Sequence, residues 1–378
     1  MEKTLLVTLD FPPRLGGVAN YWANLCGCLP ADSVSVLAPE YEGSHDFDCY
    51  QNYLIYRRVL ISRQKWLWPK WLPMVFAMQK LIRKEKIKRI IVGQVLPVGS
   101  AAYLLRKFFN FKYIVSCHGT DVKTPKKKSR KYKLMRCVLR AADCVIANSE
   151  YTKKALIEIG VREEKINIIY PCPNVECVNV DQALKNDISE RYNLKNKKIL
   201  LTVARLVERK GHDKVIQALA GLTQRFPDLV YLIVGKGNNL GNLKALVNRF
   251  NLKKYVLFLD RVDNDELKVL YDLADIFIMA SRELSSGDVE GFGIVYLEAN
   301  NFKKPVIAGK SGGAVESVID GVNGLLVDPN NFHDLSRVIV KLLKEKDLAE
   351  RLGENGYRRN REFFSWSAQA EKLCDLLK

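Results

Sequence analysis

The sequence predicts two doubly wound α/β domains, and three observations lead there. The chain has 378 residues, too long for one ordinary core and suited to two domains of somewhat under about 200 residues each. Short β-rich runs alternate with segments of helical period from end to end, the mark of parallel strands joined by crossover helices. Midway, 171–194 holds Pro171 and Pro173 and then polar residues, which reads as a linker. Strands are expected at 5–9, 34–37, 53–60, 89–92, 113–117, 144–147 and 166–170, with helices such as 19–29 and 98–109 between them. A second series follows at 198–203, 229–234, 255–259, 276–280, 305–308 and 325–327, and 363–377 reads as an amphipathic helix. In such folds ligands sit at the C-terminal ends of strands, so loops just after strands carry the most weight.

Composition narrows the class. Hydrophobic residues make up 48% and charged residues 27%, a globular balance that excludes general disorder. No apolar run approaches the ~18 residues that span a bilayer, which argues against an integral membrane protein. The opening MEKTLLVTLDFPP carries an acidic residue and reads as a first strand, not a secretory signal. Nine cysteines without framework or paired C-x-x-C spacing point to reduced thiols in a cytoplasmic protein. The net charge of +18 is concentrated: residues 51–150 hold 23 basic and 4 acidic side chains, and the remainder of the chain is close to balanced. A field so localised implies an anionic partner, whether nucleic acid, a lipid surface or a phosphorylated substrate.

The strongest chemical signal is Asp288-Val-Glu290-Gly-Phe292-Gly293-Ile294-Val-Tyr-Leu-Glu298, after the strand expected at 276–280. Gly291 and Gly293 permit a tight turn, and a helix starting near Phe292 would aim unpaired N–H groups and a positive dipole end at a diphosphate. Glu298, about two turns into that helix, lies roughly 10 Å from Glu290 along the axis, suited to the two ends of one extended ligand. An acidic surface helix is the plainer alternative. Two cations come from the loop after 198–203, in Arg205-Leu-Val-Glu-Arg-Lys210-Gly: Arg205 forks onto phosphate oxygens and Lys210 adds a point charge. Gly235-Lys236-Gly237 is a strand-to-glycine turn expected to bind the donor by letting a nucleotide lie against backbone, and Ser311-Gly312-Gly313 is a further glycine turn after a strand. In the first half, Asp10-Phe-Pro-Pro-Arg-Leu-Gly16-Gly17 opens a helix, and Cys117-His118-Gly-Thr-Asp121 follows a strand end. Each is either a structural turn or a ligand contact when taken alone.

Together and in this order, the glycine pair, H-G-T-D, R-x4-K, E-x7-E and G-G-x-x-E resemble the GT-B glycosyltransferases of the retaining GT4, or glycosyltransferase group 1, type. The resemblance covers nearly the whole chain. It is sharpest over 198–330, where VARLVERKGHD and DVEGFGIVYLEANNFKKPVIAGKSGGAVESV are similar to the phosphatidylinositol mannosyltransferase branch. It implies two Rossmann-like domains facing across a cleft, an N-terminal one at 1–180, which 363–378 crosses back to join, and a C-terminal one at 195–362. It implies that Arg205 and Lys210 bind the donor diphosphate, that Glu290 contacts the donor sugar, and that Glu298 contacts the ribose. Backbone at Phe292, Gly293 and Ile294 would meet sugar and phosphate, Arg261 and Val262 would flank the base, Gly16 and Gly17 would face the phosphates, and His118 would stand near the transferred sugar. A UDP- or GDP-linked sugar is then the donor substrate, and neither cofactor nor metal is called for, because the cations and the helix tip face the leaving group. Retention by same-face attack is favoured over a covalent intermediate, since no carboxylate stands out as a nucleophile in the first-half motifs.

Two positions depart from the family pattern. Asp260 stands where a glycine usually precedes the base-flanking Arg-Val, and the segment that often reads I-P-N-G-V-D is Tyr170-Pro-Cys-Pro-Asn174-Val-Glu176, without the glycine. A rival motif, Asp46-Phe-Asp48, spells the D-x-D of the other major glycosyltransferase fold but has no diphosphate-binding companions nearby. Within the basic stretch, Trp66, Trp68 and Trp71 interleave with lysines, and Lys126, Lys127, Lys128 and Arg130 follow the H-G-T-D motif. Tryptophan with lysine suits a bilayer interface, and roughly 1 kcal/mol per basic residue at an anionic leaflet adds up quickly. The expectation is a hexosyltransferase on the inner face of the cell membrane, acting on a lipid-linked or anionic glycan acceptor in cell-surface polysaccharide or glycolipid synthesis. The alternatives are the same fold with a small soluble acceptor, an inverting transferase or a nucleotide-sugar epimerase. Nucleic-acid binding is disfavoured because no helix-turn-helix, zinc-finger or RNA-binding aromatic signature is present.

Overall fold

The apolar runs form parallel strands because each is buried on both faces between helices. The structure, a computed structural model, describes residues 2–14, 16–123, 129–175, 177 and 180–378. The chain divides into two compact units, Met1–Pro171 with Ser365–Lys378, and Cys172–Phe364.

The first unit is a seven-stranded sheet in the order β3-β2-β1-β4-β5-β6-β7. Its strands are β1 (Thr4–Val7), β2 (Val34–Ala38), β3 (Leu54–Arg57), β4 (Arg89–Val92), β5 (Lys112–Cys117), β6 (Cys144–Ala147) and β7 (Ile166–Ile168). Leu6↔Ile91 and Leu6↔Val36 fix the register on either side of β1. The first two helices are α1 (Gly17–Cys28) and α2 (Ser44–Cys49), followed by α3 (Leu72–Lys84) and α4 (Val98–Leu105). Then come α5 (Thr120–Lys123), α6 (Arg130–Ala141) and α7 (Glu150–Glu158). Helices α3, α4, α6 and α7 cover one sheet face with Met74, Met78, Ala101, Val138 and Leu156, while Trp22, Leu25 and Leu373 pack on the other.

The second unit is a six-stranded sheet in the order β10-β9-β8-β11-β12-β13. It contains β8 (Lys198–Val203), β9 (Leu229–Val234), β10 (Val256–Leu259), β11 (Ile276–Met279), β12 (Val306–Gly309) and β13 (Gly324–Val327). The helices are α8 (Gln182–Arg191), α9 (His212–Ala220), α10 (Leu240–Arg249), α11 (Asn264–Leu273), α12 (Ile294–Asn301), α13 (Ala314–Ser317), α14 (Phe332–Lys344) and α15 (Lys346–Phe363). The last helix, α16 (Trp366–Leu376), belongs to the first unit.

Three expectations need correction. The stretch read as a linker contains α8, capped by the Asp181 side chain and anchored by the fully buried Ile188. The helix expected from 363 starts three residues later: α15 ends at Phe363, and α16 begins at Trp366, where the Ser365 side chain accepts from the Ala368 N–H. The helix of the E-x7-E segment begins at Ile294, not near Phe292, so Glu298 sits little more than one turn in.

In both sheets strand order reverses at one point, between β1 and β4 in the first and between β8 and β11 in the second. In open parallel sheets the loops diverge at such a point, and ligands bind there at the strands' C-terminal ends. The H-G-T-D and glycine-pair loops lie beside the first such point, and the R-x4-K and E-x7-E loops beside the second.

Candidate functional site

In the second unit the loop after β8 turns through a short 3₁₀ segment, Glu208–Lys210, before α9. This turn brings two neighbouring cations onto one carboxylate. Arg209 Nη1 donates to Glu290 Oε2 at 2.7 Å, Lys210 Nζ donates to the same oxygen, and Arg209 Nε pairs with Asp288 at 3.0 Å. Glu290 and Arg209 are buried, whereas Arg205 is exposed. Burial alone would raise the Glu290 carboxyl, but Lys210, Arg209 and Arg205 outweigh it and hold it below the usual carboxylate range. Burial, together with the neighbouring arginines, pulls the Lys210 ammonium down from its ordinary value in spite of Glu290. Two cations thus hold one buried carboxylate, and Arg205 adds its charge to the same field.

The loop after β11 carries Glu290 to the tip of α12. Gly293 caps that helix with φ +91°, and a Cβ there would meet the Tyr296 ring at 2.5 Å, so only glycine fits. No side chain caps this end, so the first N–H groups of α12 and the positive end of its dipole remain for an anion. The Phe292 ring is buried against Phe364 at 5.6 Å, and its carbonyl accepts from Ser317 Oγ, while Ile294 is half-buried. Gly313 N–H donates to the Glu290 carbonyl at 2.8 Å, which ties the G-G-x-x-E loop to the same place.

Glu298, one turn into α12, is only 6% exposed. Tyr271 donates to its Oε2 at 2.9 Å, and the backbone and side-chain amides of Asn174 approach Oε1 at 3.3 and 3.4 Å. Burial raises this carboxyl above the ordinary value. The β9 loop is closely packed at its glycine. The space saved by the missing Gly235 side chain is filled by the Ala204 carbonyl, 2.1 Å from where a Cβ would lie, and Lys236 pairs at the surface with Asp260. Arg261 is exposed, and Val262 is partly buried against the core.

In the first unit, Gly16 precedes α1 with open space where a Cβ would be, and Gly17 is the first residue of that helix. Gln94, beyond β4, stitches the β1 loop: its Nε2 donates to Thr8 Oγ1 and Asp10 Oδ2 at 2.9 and 3.2 Å, and its Oε1 accepts from Leu9 N–H. His118, at the end of β5, lies 3.2 Å from Ser116 Oγ through Nε2 and edge-on to Tyr21. Burial lowers the imidazole to about 4, so it is neutral at physiological pH. Asp121 Oδ1 accepts from the His118 backbone N–H at 3.0 Å, which fixes the H-G-T-D turn. The D-x-D motif serves the architecture of the first unit. Asp48 forms a two-pronged pair with Arg57, and Phe47 packs edge-on against Phe11.

Of the residues expected at a membrane surface, Trp66 and Trp68 are 77% and 85% exposed, whereas Trp71 is half-buried against the core. Arg130 is exposed on α6, and Lys126, Lys127 and Lys128 lie outside the described residues. All nine cysteines are free thiols. Among the described residues no group of three or more His, Cys, Asp or Glu is placed to hold a metal ion, and no helix is long and apolar enough to cross a membrane. Arg209 and Gln94 were missed from sequence. Arg209 had a signal, since it sits inside R-x4-K beside Lys210, but the Gln94 contacts cross between strands and leave no local pattern.

Fold and site define a class: a two-sheet α/β protein with a cation-rich helix tip whose chemistry suits a phosphorylated ligand. The chain belongs to the glycosyltransferase group 1 and family 4 enzymes and has the GT-B fold. The family profile "Glycosyl transferases group 1" matches residues 185–359 and "Glycosyltransferase Family 4" matches 15–176. The GDP-mannose-dependent alpha-(1-6)-phosphatidylinositol monomannoside mannosyltransferase of Mycobacterium tuberculosis is 32% identical, over 100% of this chain and 98% of that one. The GDP-mannose-dependent monoacylated alpha-(1-6)-phosphatidylinositol monomannoside mannosyltransferase of Corynebacterium glutamicum is 30% identical over the same shares. Among solved structures, Anabaena HepE in complex with UDP-glucose superposes with a TM-score of 0.84 at 20% identity, covering 100% and 99% of the two chains. The sucrose-phosphate synthase of Thermosynechococcus elongatus gives 0.80 at 24%, covering 100% and 98%.

Proposed function

We propose that this glycosyltransferase moves a hexosyl unit, with retention and without a metal, from a nucleoside-diphosphate sugar to a lipid-linked or anionic glycan acceptor. The observation that carries this reading is the cation cluster on the loops before α9 and α12, where Arg209 and Lys210 hold Glu290 and Arg205 adds to the same field. As the anomeric C–O bond breaks, negative charge grows on the departing diphosphate. Lys210, Arg205 and the first N–H groups of α12 are fixed beforehand to receive it. Glu290 holds the donor-sugar hydroxyls, and Glu298 the ribose. The acceptor hydroxyl oxygen bonds to the anomeric carbon from the same face, and its proton passes to a departing phosphate oxygen. His118, neutral above about pH 4, serves the sugar as a hydrogen-bonding group and not as a cation. The names of the mycobacterial and corynebacterial relatives support GDP-mannose as donor and a phosphatidylinositol mannoside as acceptor. The enzyme works at the cytoplasmic leaflet, peripherally attached.

Incubation with GDP-mannose, or UDP-glucose in parallel, and a phosphatidylinositol mannoside extract is expected to yield a product of the donor's own anomeric configuration, read by the one-bond carbon–proton NMR coupling at the anomeric carbon. Arg205→Ala, Lys210→Ala and Glu290→Gln should each cut turnover by at least ~100-fold, comparable with losing one oxyanion donor. Near-native rates in all three would refute the site.

A further inference from the structure

Glu298 offers an acceptor inventory that can be compared with what a nucleotide would ask of it. An ionised carboxylate has about four lone-pair sites, two on each oxygen. Among the described residues three are taken: Tyr271 OH on Oε2, and the Asn174 backbone N–H and side-chain Nδ2 both on Oε1. A ribose 2′,3′-diol brings two donors and finds one site open. The three contacts differ in strength. The Tyr271 bond is 2.9 Å long, from a fully buried ring stacked on Phe302, whereas the Asn174 side-chain contact is 3.4 Å, beyond the usual N–H···O range. Asn174 itself lies two residues into the second unit, and its neighbour Val175 is tied to α12 by Asn301 Nδ2 on its carbonyl at 3.0 Å. Its amide is therefore delivered to Glu298 by a locally fixed backbone.

We propose that Asn174 sets the affinity and selectivity of this site for nucleotide ribose: its side-chain amide occupies the Glu298 oxygen that the diol must claim, so a ribonucleotide binds by displacing it. The inference rests on the reading of Glu298 as the ribose contact. Without the side chain, Oε1 keeps the backbone N–H and regains one lone pair, which leaves two open sites for two hydroxyls.

Calorimetric titration with GDP and UDP, and with the 2′,3′-dideoxy form of each, tests this on wild type and Asn174→Gly, with Asn174→Ala as a second variant that keeps the chain stiffer. Both variants are expected to bind the better ribonucleotide about fivefold tighter, the modest worth of one displaced long hydrogen bond, and to leave the dideoxy form unchanged. A wild type that favours the ribonucleotide while neither variant gains for it would overturn the role of Asn174 alone. So would an equal gain for both forms. A wild type that does not distinguish ribo- from dideoxynucleotide would instead remove Glu298 as the ribose contact, and this inference with it.

Discussion

Arg209 decides how Glu290 is presented. It is 5% exposed and spans Asp288 and Glu290, so its guanidinium, always charged, is the permanent counter-ion of the pair. Lys210 shares the same Glu290 oxygen but is also the cation the proposed diphosphate needs. With Arg209 present, Lys210 can turn to the ligand without stranding a buried carboxylate. Arg209→Met should therefore cost about 3–5 kcal/mol of stability, the usual result of removing one partner from a buried pair. It should also raise the Glu290 carboxyl, because one of the cations holding it down is gone. The sign follows: the acid limb of the kcat/KM profile moves to higher pH, since activity needs the ionised form and that form now requires a less acidic solution. A profile that stays in place while the protein melts earlier would make Arg209 structural only. Arg209→Lys, which keeps the charge and loses the fork, should fall between.

At the scale of elements, the sequence was most legible where physics is local. Parallel strands buried on both faces read as continuous apolar runs, so β4, β6, β8 and β9 were expected at their observed bounds. Helix α8 was not legible, because Gln182–Arg191 buries only Ile188 and so shows hardly any apolar periodicity. The E-x7-E and R-x4-K motifs located Glu290 and Lys210, but that Arg209 is the inner partner, and that Asn174 reaches Glu298, depends on contacts spanning 81 and 124 residues. The D-x-D motif shows the opposite hazard, a local pattern put to a different use. Asp48 belongs to a clamp in which Arg57 also donates to the Pro12 and Pro39 carbonyls at 2.6 and 2.9 Å, pinning the β1 loop that leads to Gly16. Asp48→Ala should lower stability by about 2 kcal/mol, as for a hydrogen-bonded charged group, in urea denaturation. Asp46 is exposed, and Asp46→Ala should change it by less than about 0.5 kcal/mol. Equal losses from the two substitutions would count against the clamp.

Across the whole molecule, apolar rings and positive charge coincide. Among the described residues, the four tryptophans and phenylalanines more than 60% exposed are Trp66, Trp68, Phe76 and Phe108. All fall in the 51–150 stretch that holds 23 of the chain's 60 basic residues. On α3, Phe76, Lys80 and Arg83 recur at helical spacing and are exposed together, while Met74, Met78 and Leu81 on the other side are in the core. Helix α6 adds exposed Arg130, Lys131, Lys133 and Arg140. A soluble acceptor would give no reason for such rings to stand in water beside cations, whereas a headgroup layer accommodates both, rings at the interface and cations on anionic lipid. The proposed peripheral attachment then has two separable components. In vesicle sedimentation, recovery should be high with anionic phosphatidylglycerol-containing vesicles, low with neutral phosphatidylcholine, and weakened by salt because the charges are exposed. Changing Lys80, Arg83 and Lys84 to alanine should weaken the preference for anionic lipid, while Trp66→Ala with Trp68→Ala should weaken binding and leave that preference in place. Equal recovery of the wild type on neutral and anionic vesicles would take away the membrane surface as a partner.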